Sequence, residues 1–238
     1  MRDERFTFTV DGVAIAGRPG QTIMEAADEA GVYIPRLCDH EGLRHQGSCR
    51  VCTVKAGGRS VAACTQPAAS GLTVENETPH LHALRKSLVE MLFHEGNHIC
   101  PVCEASGNCE LQAMAYRLDM TEPTKYPYLE PTRPVDASHP DIALDTNRCI
   151  SCGRCIRASE DVDRKGVFGY VGRGIHRRVG VNGTDLAHTD AEVTDHAISA
   201  EVCPVGCIIR KREGFRVPIG ERDFDRQLIG EAIEEKRR

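Results

Sequence analysis

Alternating apolar and polar residues near the start of the chain predict a β-hairpin. The residues of Phe6–Val10 alternate as in a half-buried strand, and residues 13–16 continue the alternation. Asp11-Gly12, which lies between them, is a typical hairpin turn sequence. The first 75 residues are therefore predicted to form a small α+β unit that begins with this hairpin.

A helix and a second hairpin complete this predicted unit. Residues 21–30 have a helical composition, with Thr22 as a candidate N-cap and Gly31 as a plausible stop. Residues 51–55 and 59–63 flank two adjacent glycines, so we expect them to pair as antiparallel strands.

Helical spacing then replaces alternation. Residues 81–94 are amphipathic, and the apolar positions that predict a face packed on the core are Leu84, Leu88, Met91 and Leu92. Residues 109–118 predict a second, shorter helix. Five prolines between residues 122 and 140 predict a linker or an extended strap instead of a regular element.

Strand patterns return from residue 141 onward. Residues 167–171 and 177–181 have strand composition, and Asn182-Gly183 is a type I′ turn signal. Residues 190–202 are predicted to form a helix that runs into a Cys-Pro pair. The last 25 residues are charged and are interpreted as a C-terminal tail.

The cysteine content indicates a fold supplemented by metals or disulfides. The 238 residues include 12 cysteines, no tryptophan and 5% aromatic residues, so few large side chains are available for a core. Neither a secretory signal nor an apolar run long enough to span a membrane is visible. We therefore expect a cytoplasmic protein without a transmembrane segment, in which clustered cysteines are metal ligands.

Several function classes are disfavoured by the remaining sequence. The net charge is −5 and the basic residues are dispersed, which argues against a nucleic-acid partner. Gly172-Arg-Gly174 is too short for a dinucleotide fingerprint, and no catalytic triad is visible at a recognisable spacing. We therefore predict no catalytic residues in this chain and assign any catalysis to partner proteins.

A first cysteine set lies within the N-terminal unit. The spacing is C-x10-C-x2-C-x11-C, formed by Cys38, Cys49, Cys52 and Cys64. Four thiolates on a loop that precedes a strand suit a [2Fe–2S] cluster, although the first gap departs from the plant-type ferredoxin spacing. A structural zinc site with four cysteines is the alternative, and it usually presents two tight pairs where this set has one.

A second set contains only three cysteines. The spacing C-x2-C-x5-C is formed by Cys100, Cys103 and Cys109. A [4Fe–4S] cluster needs four ligands, and a neutral imidazole is able to supply the fourth. His98, two residues before Cys100, is the favoured candidate, and His94 at the helix end is the other. A zinc site with three cysteines and one histidine competes with this assignment.

The third set is the most specific signal in the chain. Its spacing, C-x2-C-x2-C, is typical of a [4Fe–4S] cluster and is formed by Cys149, Cys152 and Cys155. Ser159 stands where a two-cluster ferredoxin would carry a ligand for its other cluster, so we predict one cluster completed by Cys203 of Cys203-Pro204. Cys207 is left over as a buried thiol, and an exchange of roles with Cys203 is the alternative.

These motifs resemble a known family of redox subunits. The chain is similar to the N-terminal part of the large iron–sulfur subunit of respiratory complex I. The similarity is greater to the diaphorase iron–sulfur (gamma) subunit of NAD-reducing [NiFe] hydrogenases. The matching segments are residues 95–112, 133–140, 147–150, 202–206 and 217–222. The position of the family's histidine ligand coincides with His98, which favours His98 over His94.

The resemblance implies an α+β fold made of several small units. Their predicted boundaries are a β-grasp [2Fe–2S] domain over 1–78, a helical His-ligated [4Fe–4S] domain over 79–121, a linker over 122–140, a ferredoxin-like [4Fe–4S] domain over 141–213 and a tail over 214–238.

The resemblance also implies a function. Clusters in this chain would transfer electrons between an FMN- and NAD(H)-binding flavoprotein and a [NiFe] hydrogenase, as partner subunits of one hetero-oligomer. A relay for an NAD-dependent formate dehydrogenase or a complex I-like enzyme is the alternative within the same class. A zinc-stabilised interaction protein is the alternative from another class.

Overall fold

The computed structural model of the chain describes residues 5–129, 132–183, 185–189 and 198–237. Over these ranges the strands are β1 Phe6–Val10, β2 Val13–Gly17, β3 Thr53–Ala56, β4 Arg59–Ala62, β5 Thr73–Glu75, β6 Val135–Asp136, β7 Ile142–Asp145, β8 Phe168–Val171, β9 Arg178–Val181 and β10 Ile208–Arg210. The α-helices are α1 Ile23–Glu29, α2 Pro79–Glu95, α3 Glu110–Arg117, α4 Arg154–Arg157 and α5 Glu231–Glu234.

The N-terminal unit is a five-stranded sheet with α1 packed against it. The strand order is β2-β1-β5-β3-β4, with β1 parallel to β5 and the other pairs antiparallel. The alternation seen in the sequence places Phe8, Val10 and Ile15 on the buried face, where they meet Ile23 and Met24 of the helix. Both predicted hairpins are present, with β1 joined to β2 and β3 joined to β4.

Helix α1 begins at the predicted N-cap. The Thr22 hydroxyl accepts a hydrogen bond from the Glu25 amide at 3.2 Å, and the Glu25 carboxylate accepts one from the Thr22 amide at 2.7 Å. This capping box satisfies two backbone donors that the first turn leaves free. Gly31 follows the helix with a φ of +71°, which is the left-handed conformation that ends many helices.

Helix α2 is rotated relative to the prediction. Its most buried positions include Leu81, Arg85 and Val89, whereas Met91, predicted to pack on the core, is 37% exposed. Leu88 and Leu92 lie only at the edge of the core. The difference is due to Arg85, whose guanidinium is buried against the N-terminal sheet. It donates hydrogen bonds to the backbone oxygens of Val51, Thr53 and Asn76. A prediction based on the spacing of apolar residues does not place a charged residue at the centre of a buried face.

The proline-rich segment lies along α2 as a strap. The backbone N–H groups of Thr124 and Lys125 donate to the Glu90 carboxylate, and the Leu129 amide donates to the His94 carbonyl at 3.1 Å. Further along, β6 pairs with β7. The segment therefore has the extended character that its prolines predict.

Two small sheets form the part after residue 141. One has the order β10-β7-β6, and the other is the β8–β9 hairpin. The turn of this hairpin is formed by residues 172–177, so Asn182-Gly183, which follows β9, is not its turn. Instead, the Asn182 side-chain amide donates to the carbonyl of Gly166 at 2.7 Å and fastens the end of β9 to the start of β8. Residues 198–202 form a turn, and the rest of the helix predicted over 190–202 lies outside the described residues.

The C-terminal residues pack back on the rest of the molecule. The Arg222 guanidinium donates to the Ser106 carbonyl at 2.8 Å, and the Phe224 amide donates to the Gly107 carbonyl at 2.9 Å. Ile229 is buried in the core that α2, α3 and the third cysteine set share. The segment interpreted as a charged tail is therefore a docked strap over its described part. The predicted domain boundaries stay predictions.

Candidate metal centres

The four cysteines of the first set lie together beside the N-terminal sheet. The Cys38 amide is 3.4 Å from Cys49 Sγ, the Cys49 amide is 3.5 Å from Cys38 Sγ, and the sulfur atoms of Cys52 and Cys64 are 3.4 Å apart. Three of these side chains are buried and Cys49 is half-buried. The structure thus assembles all four residues that the sequence selected for this site.

The loop that carries Cys49 and Cys52 is shaped to offer backbone donors to sulfur. Arg50 has a φ of +61°, and its carbonyl accepts a hydrogen bond from the Thr53 hydroxyl at 2.6 Å, which closes the turn. The Val51 N–H donates to the Cys49 sulfur. Hydrogen bonds from neighbouring thiols lower the pKa of Cys38 and of Cys52, and the same interactions raise the pKa of Cys49 and of Cys64. A metal would displace the remaining protons.

The second set lines a separate cavity with one histidine. The potential ligands on its wall are His98, Cys100, Cys103 and Cys109. Cys100 opens the short 3-10 turn Cys100–Val102, and Cys109 is the N-cap residue of α3. Burial raises the pKa of Cys109 to about 12, so metal binding would have to displace its proton.

His98 has the properties of a neutral metal ligand. Its Nε2 is buried and has no hydrogen-bond partner within the described ranges, while its ring also donates to the Leu92 backbone. Burial, reinforced by the Arg148 guanidinium, lowers the pKa of His98 to about 4, which keeps the imidazole neutral near pH 7. A second hydrogen bond that fixes the ring is common for histidine ligands.

His94 does not share this cavity. It is buried beside the strap, with Nε2 at 3.7 Å from Glu90 Oε1 and its ring 6.4 Å from that of Tyr128. Its ring nitrogens also lack hydrogen-bond partners among the described residues, but they face the strap instead of the cysteines. The geometry therefore favours His98 of the two candidates.

The third set lines a cavity of its own. Two residues with a left-handed backbone conformation turn the chain toward this cavity. Ser151 and Gly153 have φ values of +52° and +68°, and the Ser151 amide lies 3.4 Å from Cys149 Sγ. A Cβ on Gly153 would lie 2.6 Å from Oε1 of Gln46 and 2.7 Å from the hydroxyl of Tyr170, so a side chain there would have to displace both groups. The four predicted ligands on the cavity wall are Cys149, Cys152, Cys155 and Cys203.

Cys207 lies in the same cavity, so the exchange of roles with Cys203 that the sequence left open stays open. It is 2% exposed, as expected of a buried thiol, and it lines the wall beside Cys149 and Cys203. A hydrogen bond from the Cys207 thiol is the main cause that lowers the pKa of Cys149 to about 6. Cys207 lies four residues after Cys203 and immediately before β10.

The sequence motifs also did not identify the arginines that lie between the cysteine sets. Arg148 lies 3.5 Å from Cys103 Sγ and pairs with Glu104 at 2.9 Å. The Arg154 guanidinium donates to the Asp39 carbonyl and pairs with Glu110. A fully buried arginine is uncommon, so nothing in the sequence distinguished these arginines from exposed ones.

The cavity of the third cysteine set adjoins residues of both other sets. Gly206 lines the second cavity, where a Cβ on it would lie 3.1 Å from Cys103 Sγ, while Cys203 and Val205 line the third. This short segment is thus a wall between both cavities. On the other side, the Arg157 guanidinium donates to the carbonyls of Cys38 and Cys152 and thereby joins the first set to the third.

The donor sets fit iron–sulfur clusters. Twelve thiols and one buried imidazole with a free nitrogen lie in three groups, of four, four and five side chains, and backbone N–H groups donate to the sulfur atoms in the first and third groups. Thiolates and imidazole are ligands that iron and zinc both accept. N–H···S hydrogen bonds are characteristic of the surroundings that tune iron–sulfur clusters.

Three family models match consecutive parts of the chain. Residues 3–79 match a 2Fe-2S iron-sulfur cluster binding domain. Residues 85–124 match the NADH-ubiquinone oxidoreductase-G iron-sulfur binding region, and residues 139–209 match the ferredoxin-like domain of NADH-quinone oxidoreductase subunit 3. Each match contains the proposed ligands of one cysteine set.

Whole-chain relatives narrow the family. The gamma subunit of the NAD-reducing hydrogenase HoxS from Cupriavidus necator is 40% identical over 222 residues, which cover 93% of this chain and 94% of that protein. The chain belongs to the family of this gamma subunit. A chain in the crystal structure of an NAD+-reducing [NiFe]-hydrogenase in the H2-reduced state has a TM-score of 0.91 at 45% identity, with 98% of each chain covered. The predicted family, fold class and iron–sulfur function are confirmed.

The complex I relatives are longer proteins. The 78 kDa subunit of mitochondrial NADH-ubiquinone oxidoreductase from Neurospora crassa is 32% identical over 221 residues, and the match covers 91% of this chain and 29% of that protein. Within the described ranges, no helix is both long and apolar enough to cross a membrane.

Proposed function

We propose that this chain is the electron-relay subunit of an NAD-linked hydrogenase, with three clusters and no catalytic residues of its own. The first set would hold one [2Fe–2S] cluster, and the second and third sets would each hold one [4Fe–4S] cluster. The proposed ligands are Cys38, Cys49, Cys52 and Cys64; His98, Cys100, Cys103 and Cys109; and Cys149, Cys152, Cys155 and Cys203. The observation that carries this proposal is the convergence of the twelve residues in three groups of four.

The chain's own contribution is to hold, insulate and tune these groups. Iron–sulfur clusters, when bound, accept and release single electrons. The second and third cavities are lined by apolar side chains as well as by ligands, among them Phe93, Leu111, Ile150 and Ile208, which exclude water from the sulfur atoms. Burial and N–H···S hydrogen bonds then set the reduction potentials.

Contacts between the sites support a linear order. The first set is joined to the third by Arg157, and the third is joined to the second by the segment 203–206. Ile99 and Val102 beside the second set are exposed, and the contacts place the third set between the other two. Electrons would therefore enter and leave at the first and second sets and pass through the third.

The partners are inferred from the relatives. The gamma subunit from Cupriavidus necator belongs to an NAD-reducing hydrogenase, and the structural relative belongs to an NAD+-reducing [NiFe]-hydrogenase. The proposal therefore includes an FMN- and NAD(H)-binding flavoprotein at one end, hydrogenase subunits at the other, and a cytoplasmic hetero-oligomer.

Reduction by NADH through the flavoprotein tests this proposal. The anaerobically purified chain should be mixed with the FMN- and NAD(H)-binding flavoprotein of an NAD-reducing hydrogenase, and the visible absorption of the clusters followed after addition of NADH. Bleaching that requires both proteins is the expected result. If the flavoprotein neither binds the chain nor reduces it, while a formate dehydrogenase or complex I-type partner does, the hydrogenase assignment is wrong and the relay function remains.

A further inference from the structure

The Arg157 guanidinium is buried between the first and third cysteine sets. The residue is 2% exposed. Its Nη2 donates to the carbonyls of Cys38 and Cys152, and its Nε donates to the Gly153 carbonyl at 3.2 Å. Its Nη1 donates to the carbonyl of Arg44. Every hydrogen-bond acceptor in this group is a backbone oxygen, and two of them belong to cysteines of different sets.

The charge of Arg157 has no carboxylate partner among the described residues. Arg154, which is equally buried, pairs with Glu110, and Arg85 has Glu77 at 3.5 Å. The acids that follow Arg157 in sequence, Glu160 and Asp161, are bound to the exposed Arg44 side chain. A buried charge without a counter-ion is unfavourable, so this position calls for an anion nearby.

We propose that Arg157 is a counter-charge shared by the first and third clusters. This inference rests on the proposed function, because a cluster held by four thiolates is the anion that the site would supply. Adding an electron makes such a cluster more negative, and a fixed cation stabilises the reduced form more than the oxidised form. Arg157 therefore raises the reduction potential of both clusters. Because one charge acts on both, the difference between their potentials changes little.

We expect a smaller effect on the second cluster, whose residues Arg157 does not contact through its hydrogen bonds. Its neighbouring cation, Arg148, is balanced by Glu104 at 2.9 Å and Asp145 at 3.0 Å. No hydrogen bond in the described ranges connects Arg157 to a residue of the second set. The second cluster therefore serves as an internal control in the same molecule.

Midpoint potentials of charge variants test the proposal. Arg157→Gln and Arg157→Met remove the charge, Arg157→Lys retains it with fewer hydrogen bonds, and Arg18→Gln removes one exposed positive charge as a matched control. The potentials are measured by redox titration of the full chain with EPR detection, after iron and sulfide contents have been determined. In the neutral variants we expect the reduction equilibria of the first and third clusters to weaken at least tenfold, about 59 mV for one electron. Arg157→Lys, Arg18→Gln and the second cluster should stay near wild type.

Each other outcome is informative. Unchanged potentials in the neutral variants, or equal shifts in Arg157→Lys and Arg157→Gln, would overturn the charge role. If the neutral variants lose the first and third clusters while Arg157→Lys keeps them, the need for the charge is supported. Loss in all three variants would make Arg157 a hydrogen-bonding support only. A wild-type chain that holds no iron would instead refute the proposed function.

Discussion

At the scale of single residues, His98 is the proposed fourth ligand of the second site. Its buried Nε2 lies where a Cβ on Gly96 would come within 2.3 Å, so the backbone leaves room for the ring at this position only because residue 96 is glycine. Its orientation toward the cavity of Cys100, Cys103 and Cys109 separates it from His94.

We predict that His98→Ala damages the second cluster alone. Iron should fall from roughly ten to about six per chain, since one [4Fe–4S] cluster is lost and the other two persist. His94→Ala, at the buried histidine outside the cavity, is the matched control and should retain all the iron. Iron analysis and EPR of the reduced proteins measure both. Full iron and an unaltered spectrum in His98→Ala would refute this ligand assignment.

Glycine 153 shows how one backbone position shapes the third site. Gly153→Ala is expected to destabilise the protein by ~1–2 kcal/mol for the left-handed conformation, and by ~1–3 kcal/mol more for the clash with Gln46 and Tyr170. Gly166→Ala has a similar φ of +59° with no atom within 4 Å of the added Cβ, so it should show only the first effect. The thermal unfolding midpoints of the two variants measure this difference. Equal midpoints would show that the clash at residue 153 is relieved without loss of stability.

At the scale of elements, the sequence predicted correctly those strands and helices in which the apolar residues recur on the buried face. The hairpin β1–β2 and the capped helix α1 follow from alternation and from Thr22. The pattern failed where a polar side chain does structural work. Arg85 occupies the centre of the buried face of α2, where an apolar residue was expected. The Asn182 side chain joins the two ends of the β8–β9 hairpin and is not part of its turn. Neither role has a periodic signature.

The C-terminal strap tests whether an apparently charged tail stabilises the fold. Ile229 is 8% exposed and packs in the shared core, whereas Ile219 in the same segment is 86% exposed. We expect Ile229→Ala to cost ~2 kcal/mol or more and to lower the thermal midpoint by ~4 °C or more. Ile219→Ala should change stability by less than ~0.5 kcal/mol. Equal effects of the two substitutions in thermal unfolding would mean that the strap does not dock as described.

At the scale of the whole molecule, the cysteine spacing predicted which residues group together but not how the groups are arranged. Spacing reports local loops, so it selected eleven cysteines and His98. The order of the sites depends on long-range contacts, such as that of Arg157 with Cys38 across 119 residues. The same is true of Cys207, which returns to the third cavity through the turn before β10. Spacing carries no information on contacts of this kind.

The central claim is that three iron–sulfur clusters occupy these three sites. The most direct test is to purify the chain without exposure to air and measure its iron, acid-labile sulfide and zinc, together with the EPR spectrum of the reduced protein. One [2Fe–2S] and two [4Fe–4S] clusters predict roughly ten irons per chain, matching sulfide, and signals from both cluster types. Near-stoichiometric zinc with little iron or sulfide would contradict the account and indicate a zinc-stabilised interaction protein.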